Sequence, residues 1–251
     1  MPSRPIPLWS RQRGAGLIEV MVGLTAGLML LGAVAYFVLG SKQVNRTHDN
    51  VSRMQESGRT ALEVMGRAIR QAGARSNVQL PFAAGALPAL EGTERGTEGA
   101  IGDADSLTVR YDVQDGGEAD CLGTAVASGA VTYLFFVDRT SDPPTLKCTN
   151  ATGAAAQAAA QVVMDNIEDM QITYGVDTNG DGSVESYQWA TGLTPAQVTA
   201  VRVSLLVRGP TPRVATGSQT LPYNHPGFVI ANDGHLRQVY TSTFTVRNHA
   251  K

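Results

Sequence analysis

The run from Asp177 to Glu185 is the part of the sequence whose residue types suggest chemistry most directly. Side-chain oxygens recur at its first, third and fifth positions, and Gly182 stands at the sixth, as at the start of a calcium loop. Calcium prefers oxygen ligands of this kind. The predicted calcium ligands are Asp177, Asn179, Asp181, Ser183 and Glu185.

This run departs from a complete calcium loop at its twelfth position, where Gln188 stands in place of the bidentate glutamate. Glu185, at the ninth position, could substitute only with a different geometry. Asn-Gly and Asp-Gly are also preferred in hairpin turns, so a plain turn is the alternative interpretation. The sequence predicts no cofactor besides this calcium ion. The histidines are scattered rather than clustered as in a zinc site, at His48, His225, His235 and His249.

Nothing in the sequence indicates catalysis or nucleic-acid binding. Serine, aspartate and histidine are present, but no spacing ties them into a catalytic set, and no glycine-rich phosphate loop follows a strand. The chain is therefore predicted not to be an enzyme. Its 251 residues carry 20 Lys+Arg and 22 Asp+Glu, a net charge of −2, which gives no support for binding nucleic acid through global charge.

Glu19 stands at the start of a long uncharged segment, Val20–Leu39. Twenty helical residues span about 30 Å, the thickness of a bilayer's hydrocarbon core. The basic residues Arg4, Arg11 and Arg13 precede the segment, so the N-terminus is expected in the cytoplasm and the bulk of the chain outside. A carboxylate at the edge of a membrane helix is a candidate functional residue.

The segment from Arg13 to Val22, Arg-Gly-Ala-Gly-Leu-Ile-Glu-Val-Met-Val, resembles the class III leader of type IV prepilins and pseudopilins. The resemblance implies cleavage after Gly14 by prepilin peptidase, N-methylation of the new first residue Ala15, and a role for Glu19 in assembly. The first mature residue of this family is usually Phe, whereas here it is Ala15. Cleavage removes 14 of the 251 residues, leaving 237, and removes three arginines, so the formal side-chain charge falls from −2 to −5.

Two other interpretations of this segment are open. A secretory signal peptide fits poorly, because the apolar stretch is long and continues directly into an amphipathic pattern. A plain single-span anchor makes Glu19 a carboxylate at the membrane interface without a partner. Gly23 and Gly27 are four residues apart, a spacing that lets membrane helices approach closely, although ordinary glycine usage explains it equally well.

The helical pattern continues beyond Gly40 as an amphipathic stripe and is predicted to end at Gly73. This stripe is too short and irregular for an isolated coiled coil. Its apolar residues are Val44, Val51, Met54, Leu62, Met65, Ile69 and Ala72. The predicted parts are a leader (residues 1–14), a helix (15–73) with a membrane segment at about 17–40, and a globular head (74–251).

The head is predicted to be mostly antiparallel strands after a loop at Asn77–Asp105, so the fold class is α+β. The strands are expected at Ser106–Asp112, Val131–Asp138, Thr145–Cys148, Met170–Val176, Val184–Trp189, Val201–Arg208 and Arg237–Asn248. The alanine-rich Ala154–Asn166 is predicted to be helical. A short helix is expected to start at Thr194-Pro195, with the threonine as its cap.

Three segments of the head resemble the PilW family of minor pilins: Ile167–Asp177, Val198–Arg208 and Arg237–Asn248. With the leader and helix, the resemblance covers most of the chain except about 77–105. It implies the type IV pilin-like form of the α+β class, with a long helix packed on an antiparallel sheet.

The resemblance also implies a minor pilin that helps to initiate or cap a type IV pilus. It implies roles in adhesion or twitching motility, and three partners: prepilin peptidase/N-methyltransferase, other minor pilins and the major pilin. The chain would cross the inner membrane once with its head in the periplasm, and later reach the pilus at the cell surface. The alternatives are a type II secretion minor pseudopilin, or a membrane-anchored periplasmic protein that binds calcium or another ligand.

Cys121 and Cys148 are the two cysteines of the sequence, and both belong to the expected exported head. An oxidising periplasm makes one disulfide between them the simple expectation. Two unpaired thiols are the alternative. Closing a loop of this length would stabilise the fold by roughly 3–4 kcal/mol in the chain-entropy model.

Overall fold

The computed structural model describes residues 16–75, 88–94, 104–113, 118–121, 123–126, 129–150, 157–215, 217–222 and 232–248. The expected leader and the bond between Gly14 and Ala15 lie outside these ranges. Internal contacts divide the chain into two compact units, Met1–Arg46 and Thr47–Lys251. This division falls before the boundary expected at residue 73, because the helix from Met54 onward shares its core with the strands.

Helix α1 runs from Leu17 to Gln71 without a break, close to the predicted 15–73. It ends as expected at Gly73, whose φ of 72° lies in the left-handed region that glycine adopts without strain. The amide of Gly73 then donates to the carbonyl of Arg110 at 2.9 Å, which connects the end of the helix to the first long strand of the head.

Eleven strands follow among the residues that the structure describes. Their bounds are β1 Leu90–Thr93, β2 Ser106–Val113, β3 Glu118–Ala119, β4 Ala125–Val126, β5 Gly129–Asp138, β6 Thr145–Thr149, β7 Gln161–Asp165, β8 Ile167–Val176, β9 Ser186–Gln188, β10 Val198–Arg208 and β11 Arg237–Thr245.

These strands form two main antiparallel sheets, with orders β1-β2-β5-β6-β7 and β11-β10-β8-β9, and a small β3-β4 pair. One core joins the sheets and the second part of α1. It contains Met65 and Ile69 from the helix, Leu107 from β2, and Val201 and Leu205 from β10, all buried. A long apolar helix with antiparallel sheets confirms the predicted α+β class.

The predicted helix at Ala154–Asn166 is wrong over Gln161–Asp165, which forms β7 and pairs with β6. Its valines at 162 and 163 favour strand, and hydrogen bonding to β6 satisfies the backbone there. The alanine run that suggested the helix ends before them. Residues 151–156 lie outside the described ranges.

The predicted loop at Asn77–Asp105 is wrong over Leu90–Thr93, which forms β1 and pairs with β2. Four residues that include a glutamate and a glycine give no alternating pattern, so the pairing partner decides their conformation. Gly92 lies against the hydroxyl of the buried Tyr174, where a side chain would overlap it. Residues 77–87 and 95–103 of the expected loop lie outside the described ranges.

Two local predictions are confirmed in the same region of the head. β8 and β9 form the expected antiparallel hairpin around residues 177–185. Pro195 begins a short 3₁₀ turn, Pro195–Gln197, as its position suggested. Thr194 precedes this turn but its side chain makes no capping hydrogen bond, which corrects the predicted role of the threonine.

Candidate functional site

The first part of α1 presents an apolar surface with no covering in the described chain. Its large side chains are exposed from Leu17, at 77%, to Leu39, at 67%. Among the described residues, one helix, α1, is long and apolar enough to cross a membrane. A surface of this size needs lipid or other apolar side chains around it.

Glu19 lies in the first turn of this surface. Its amide and that of Val20 donate to the carbonyl of Gly16, at 2.9 and 3.2 Å, so the helix starts at Leu17. A carboxylate in the first turn interacts favourably with the helix dipole. Gly14 and Ala15, the predicted cleavage and methylation site, lie outside the described residues.

Gly23 and Gly27 leave open space beside the helix. A Cβ built at either glycine would meet no atom within 4 Å. Packing within this chain therefore gives no reason for these two glycines, and their predicted role in helix packing concerns neighbouring helices.

Two other glycines of α1 do serve packing within the chain, against aromatic rings of β11. A Cβ at Gly58 would stand 2.5 Å from Cδ2 of Tyr240, and one at Gly66 would overlap the ring of Phe244. The glycines are about 12 Å apart along the helix and the aromatic residues about 13–14 Å apart along the strand. The two spacings match, so strand and helix lie side by side. Sequence reasoning missed this pair of contacts, although the eight-residue glycine spacing was available.

Asn50 and Asn248 attach this part of α1 to the head near its two ends. Asn50 is fully buried, and its Oδ1 accepts from the amide of Thr211 at 3.0 Å. Asn248 donates from Nδ2 to the carbonyl of Arg70 at 3.4 Å. Sequence reasoning missed Asn50. The available signal was a polar residue directly before Val51, on the stripe of the helix that faces the core.

The structure places the two cysteines in one disulfide, Cys121–Cys148, with an S–S distance of 2.08 Å and Cα atoms 6.1 Å apart. Cys148 lies on β6 and is buried in the core. The bond attaches the segment between β3 and β4 to β6, the fourth strand of the first sheet. Its place in the molecule is structural.

The predicted calcium loop is the connection between β8 and β9. Asp177 is buried, and its carboxylate accepts from the amides of Gly180 at 2.6 Å and Gly182 at 2.8 Å. Asn179 accepts from the amide of Asp181 at 2.8 Å. These bonds, together with the positive φ of both glycines, shape a tight turn.

Three carboxylates of the loop come together, Asp177, Asp181 and Glu185, with one oxygen of each within 4.8 Å of the others. Glu185 also accepts from the amide of Thr178 at 2.8 Å. A hydrogen bond from the amide of Ser183 lowers the pKa of the exposed Asp181.

Gln188, at the twelfth position, lies on β9 and donates from its side chain to Ser186 at 3.3 Å. Gln188 has no carboxylate, so it cannot act as the bidentate ligand of a complete calcium loop. Glu185 is the carboxylate that lies with Asp177 and Asp181. Both a turn and a calcium loop use this arrangement, so calcium binding stays a prediction.

Arg237 forms a buried charge cluster that sequence reasoning missed. Its side chain is 2% exposed and pairs with Glu168, with the shorter N–O distance at 2.5 Å, and with Asp233, also at 2.5 Å. Hydrogen bonds from Arg237 hold the pKa of the Asp233 carboxyl well below its usual range. The cluster attaches the start of β11 to β8, so its role is structural.

A second charge pair joins the two sheets. Asp169 of β8 is 1% exposed and lies 3.1 Å from Arg139 in the turn after β5. Neither of its oxygens has a well-aligned hydrogen bond. Burial raises the pKa of Asp169 to about 6, against the opposing effect of the Arg139 charge. Arg208 pairs with Asp142 of the same turn at 2.5 Å.

Among the described residues of the head, two surface cavities are lined partly by α1. One of about 310 Å³ is lined by Tyr111, Tyr133 and Phe135, and the hydroxyls of its two tyrosines lie 2.7 Å apart. The other, of about 340 Å³, lies beside Arg53 and Arg208. The described lining of neither cavity includes a histidine. Neither described lining therefore offers a histidine as the general base that would activate a nucleophile.

Comparison with known proteins extends the sequence analysis. Residues 134–248 match the family model described as PilW, type IV pilus-assembly protein W. The matched range contains all three head segments that carried the predicted resemblance, which is thereby confirmed. It supports a pilus-related role for the chain.

No curated protein gives a significant match to this chain. Among solved structures, the chain is similar to the type IV-like pilin TTHA1219 from Thermus thermophilus, at 15% identity and a TM-score of 0.47, over 82% of this chain and 98% of that chain.

Proposed function

We propose that the chain is a minor pilin that enters a type IV pilus through α1 and helps to initiate or cap the fibre. The observation that carries this proposal is the match of residues 134–248 to a pilus-assembly family. The uncovered apolar surface of α1 from Leu17 to Leu39 supports it, because a pilin subunit needs such a helix in the membrane and then in the fibre.

The first proposed step is removal of the leader. Prepilin peptidase cuts between Gly14 and Ala15 and methylates the new amino group. The mature chain then begins two residues before helix α1, and its positive terminus is four residues from Glu19 in sequence. Pairing of the two charges, within one chain or between neighbours, would offset the cost of placing each in an apolar setting.

The second proposed step is transfer of α1 from the inner membrane into the fibre. The same side chains that face lipid before assembly would then face the helices of other subunits. Gly23 and Gly27 leave room for a neighbouring helix to approach, since no atom of the described residues lies within 4 Å of a Cβ at either position.

The proposed role of the head in assembly is structural. It would lie in the periplasm before assembly and contact other minor pilins and the major pilin afterwards. One disulfide and the buried Arg237 cluster stabilise it. A structural rather than catalytic role fits the family description, which concerns pilus assembly.

Mass spectrometry of the N-terminus tests the proposal. Chain recovered from cells with prepilin peptidase should consist of 237 residues and begin with N-methylated Ala15. Gly14→Val should block cleavage. Gly16→Ala is the matched control, because a Cβ at Gly16 meets nothing within 4 Å, and it should be cut normally. An intact leader in pilus-forming cells would overturn the proposal.

Two alternatives make different predictions. A type II secretion pseudopilin would have the same mature N-terminus but would be absent from sheared type IV pili and present with the secretion machinery. A membrane-anchored periplasmic protein would keep its leader and tolerate Glu19→Ala. Fractionation of sheared pili together with the N-terminal mass therefore separates all three.

A further inference from the structure

The turn between β5 and β6, residues 139–144 (the strap), is attached to the second sheet by two ion pairs of opposite polarity. Arg139 of the strap lies against Asp169 of β8, with 3.1 Å between Nη2 and Oδ1. Asp142 of the strap accepts a hydrogen bond from Arg208, at the end of β10, at 2.5 Å. Because β5 and β6 belong to the first sheet, the strap connects the two sheets through charge.

The two ion pairs of the strap differ in burial. The side chain of Asp169 is 1% exposed and that of Arg139 is 22% exposed, whereas Asp142 is 88% exposed. Water screens an exposed pair, so the contact of Asp142 contributes little. In a buried pair, loss of one charge leaves the other without compensation. The contact between Arg139 and Asp169 therefore determines whether the strap stays on β8.

The surroundings of this buried pair offer little besides the pair itself. Nε and Nη2 of Arg139 and both carboxylate oxygens of Asp169 are buried without a well-aligned hydrogen-bond partner. Leu206, the residue opposite Asp169 on β10, is apolar. If Asp169 became neutral, the guanidinium of Arg139 would be left in an apolar setting, which is unfavourable for a charge. Its side chain already reaches the surface, so a short outward movement of the strap would bring it into water.

We propose that the strap is a pH-operated fastening, held on β8 while Asp169 is ionised and released from β8 when Asp169 takes up a proton. The proton binds to a carboxylate oxygen of Asp169, and Arg139 turns outward into solvent. The exposed pair between Asp142 and Arg208 remains as the second attachment. The proposal is independent of the pilin function, since it concerns groups within the head.

The charges around the strap support this assignment. Burial raises the pKa of Asp169 to about 6, against the opposing effect of the Arg139 charge. Glu168, the neighbour on β8, raises that pKa as well, although it pairs with the buried arginine of β11. A hydrogen bond from Lys147 lowers the pKa of Asp138, directly before the strap, to about 2. Asp138 therefore stays ionised over the range in which Asp169 titrates.

NMR of the full-length chain in detergent micelles, with 15N-labelled arginine, tests the fastening. The order parameter of the Nε–H bond of Arg139 should be about 0.8 at pH 7, as in a rigid group, and below about 0.6 at pH 5. The change should have the same midpoint as the titration of the Asp169 carboxyl. Arg139→Lys identifies the signal by removing it.

Asp169→Asn imitates the protonated carboxyl and should give a low order parameter at both pH values. Asp142→Asn breaks the exposed pair and is the control, which should retain the change with pH. Trypsin cleavage after Arg139 requires that side chain to leave Asp169, so at pH 7.5 it should be at least tenfold faster in Asp169→Asn. Cleavage after the exposed Arg213 should be unchanged. A cooperative thermal transition verifies that each variant is folded.

Three outcomes would overturn the fastening. The first is a constant order parameter of Arg139 between pH 7 and pH 5 while Asp169 titrates. The second is a folded Asp169→Asn chain in which Arg139 is rigid at pH 7. The third is a change with pH that persists in Asp169→Asn, which would assign the effect to another group. Because N-terminal processing is read separately, failure of this proposal and failure of the pilin proposal are distinguishable.

Discussion

Gly66 of helix α1 lies directly against the ring of Phe244 on β11, 178 residues later in the chain. A side-chain carbon at residue 66 would stand 2.7 Å from Cδ1 of that ring and still closer to Cε1. Glycine in the interior of a helix is unfavourable by about 1 kcal/mol relative to alanine. The close approach of strand and helix explains why it stands here.

Gly66→Ala should destabilise the head despite its better helix propensity. Forcing a methyl group into a packed contact costs roughly 1–3 kcal/mol, against a gain of about 1 kcal/mol from propensity. The expected net loss is roughly 1 kcal/mol, measured by thermal or denaturant unfolding of the chain in detergent micelles.

The double variant separates the two effects. With Phe244→Ala in place, the space beside residue 66 is open, and Gly66→Ala should then stabilise by up to about 1 kcal/mol. The contact with Phe244 would be the wrong explanation if Gly66→Ala had the same effect in both backgrounds.

Asp169 should make stability fall as pH rises from about 4 to about 6. Burial raises its folded pKa to about 6, above the value of about 4 in an unfolded chain. The folded state therefore binds the proton more tightly, and the stability this provides is complete below pH 4 and lost above pH 6, by roughly 3 kcal/mol. Asp169→Asn should remove that fall in a pH series of unfolding measurements.

The partner of Asp169 gives an independent check by carboxyl NMR. Arg139→Gln should move the titration midpoint of Asp169 above 6, because the positive charge of Arg139 lowers that pKa. Asp142→Asn, at an exposed position of the same turn, should leave the midpoint unchanged. A midpoint near 4 in the unmodified chain would contradict the effect of burial.

Glu19→Ala should abolish recovery of the chain in sheared pili while leaving leader cleavage largely intact. The mature amino group would lose the carboxylate that compensates it in the apolar interior of the fibre. Glu56→Ala removes an exposed carboxylate from the same helix and is the matched control. Normal incorporation of the Glu19→Ala chain would show that this carboxylate has no part in assembly.

Calcium binding at Asp177–Glu185 predicts a saturable heat when calcium is titrated into the full-length chain in micelles. Asp181→Ala should abolish that heat, because it removes one of three carboxylates that lie together. Asp142→Ala, an acidic residue of a different turn, should retain it. Equal heats for the unmodified chain and Asp181→Ala would leave the loop as a hairpin turn.

Several elements could be predicted from the sequence because their signals are local. A long uncharged run followed by an amphipathic stripe and a glycine specified α1 and its end at Gly73. Alternation of apolar residues predicted β2. The strands β1 and β7 were missed, since neither has a strong period of its own and each is held by its neighbour in the sheet.

The sequence by itself determined the long apolar helix, the fold class, the three head segments of the pilus-assembly match and the residues of the calcium-like loop. Only the tertiary structure decided that Gly58 and Gly66 pack against aromatic rings and that Arg237 pairs with two carboxylates. It also decided that β11 is an outer strand of its sheet. The physical reason is distance along the chain. Periodicity reports which face of a segment is buried, whereas the partner at that face comes from a residue far away in sequence.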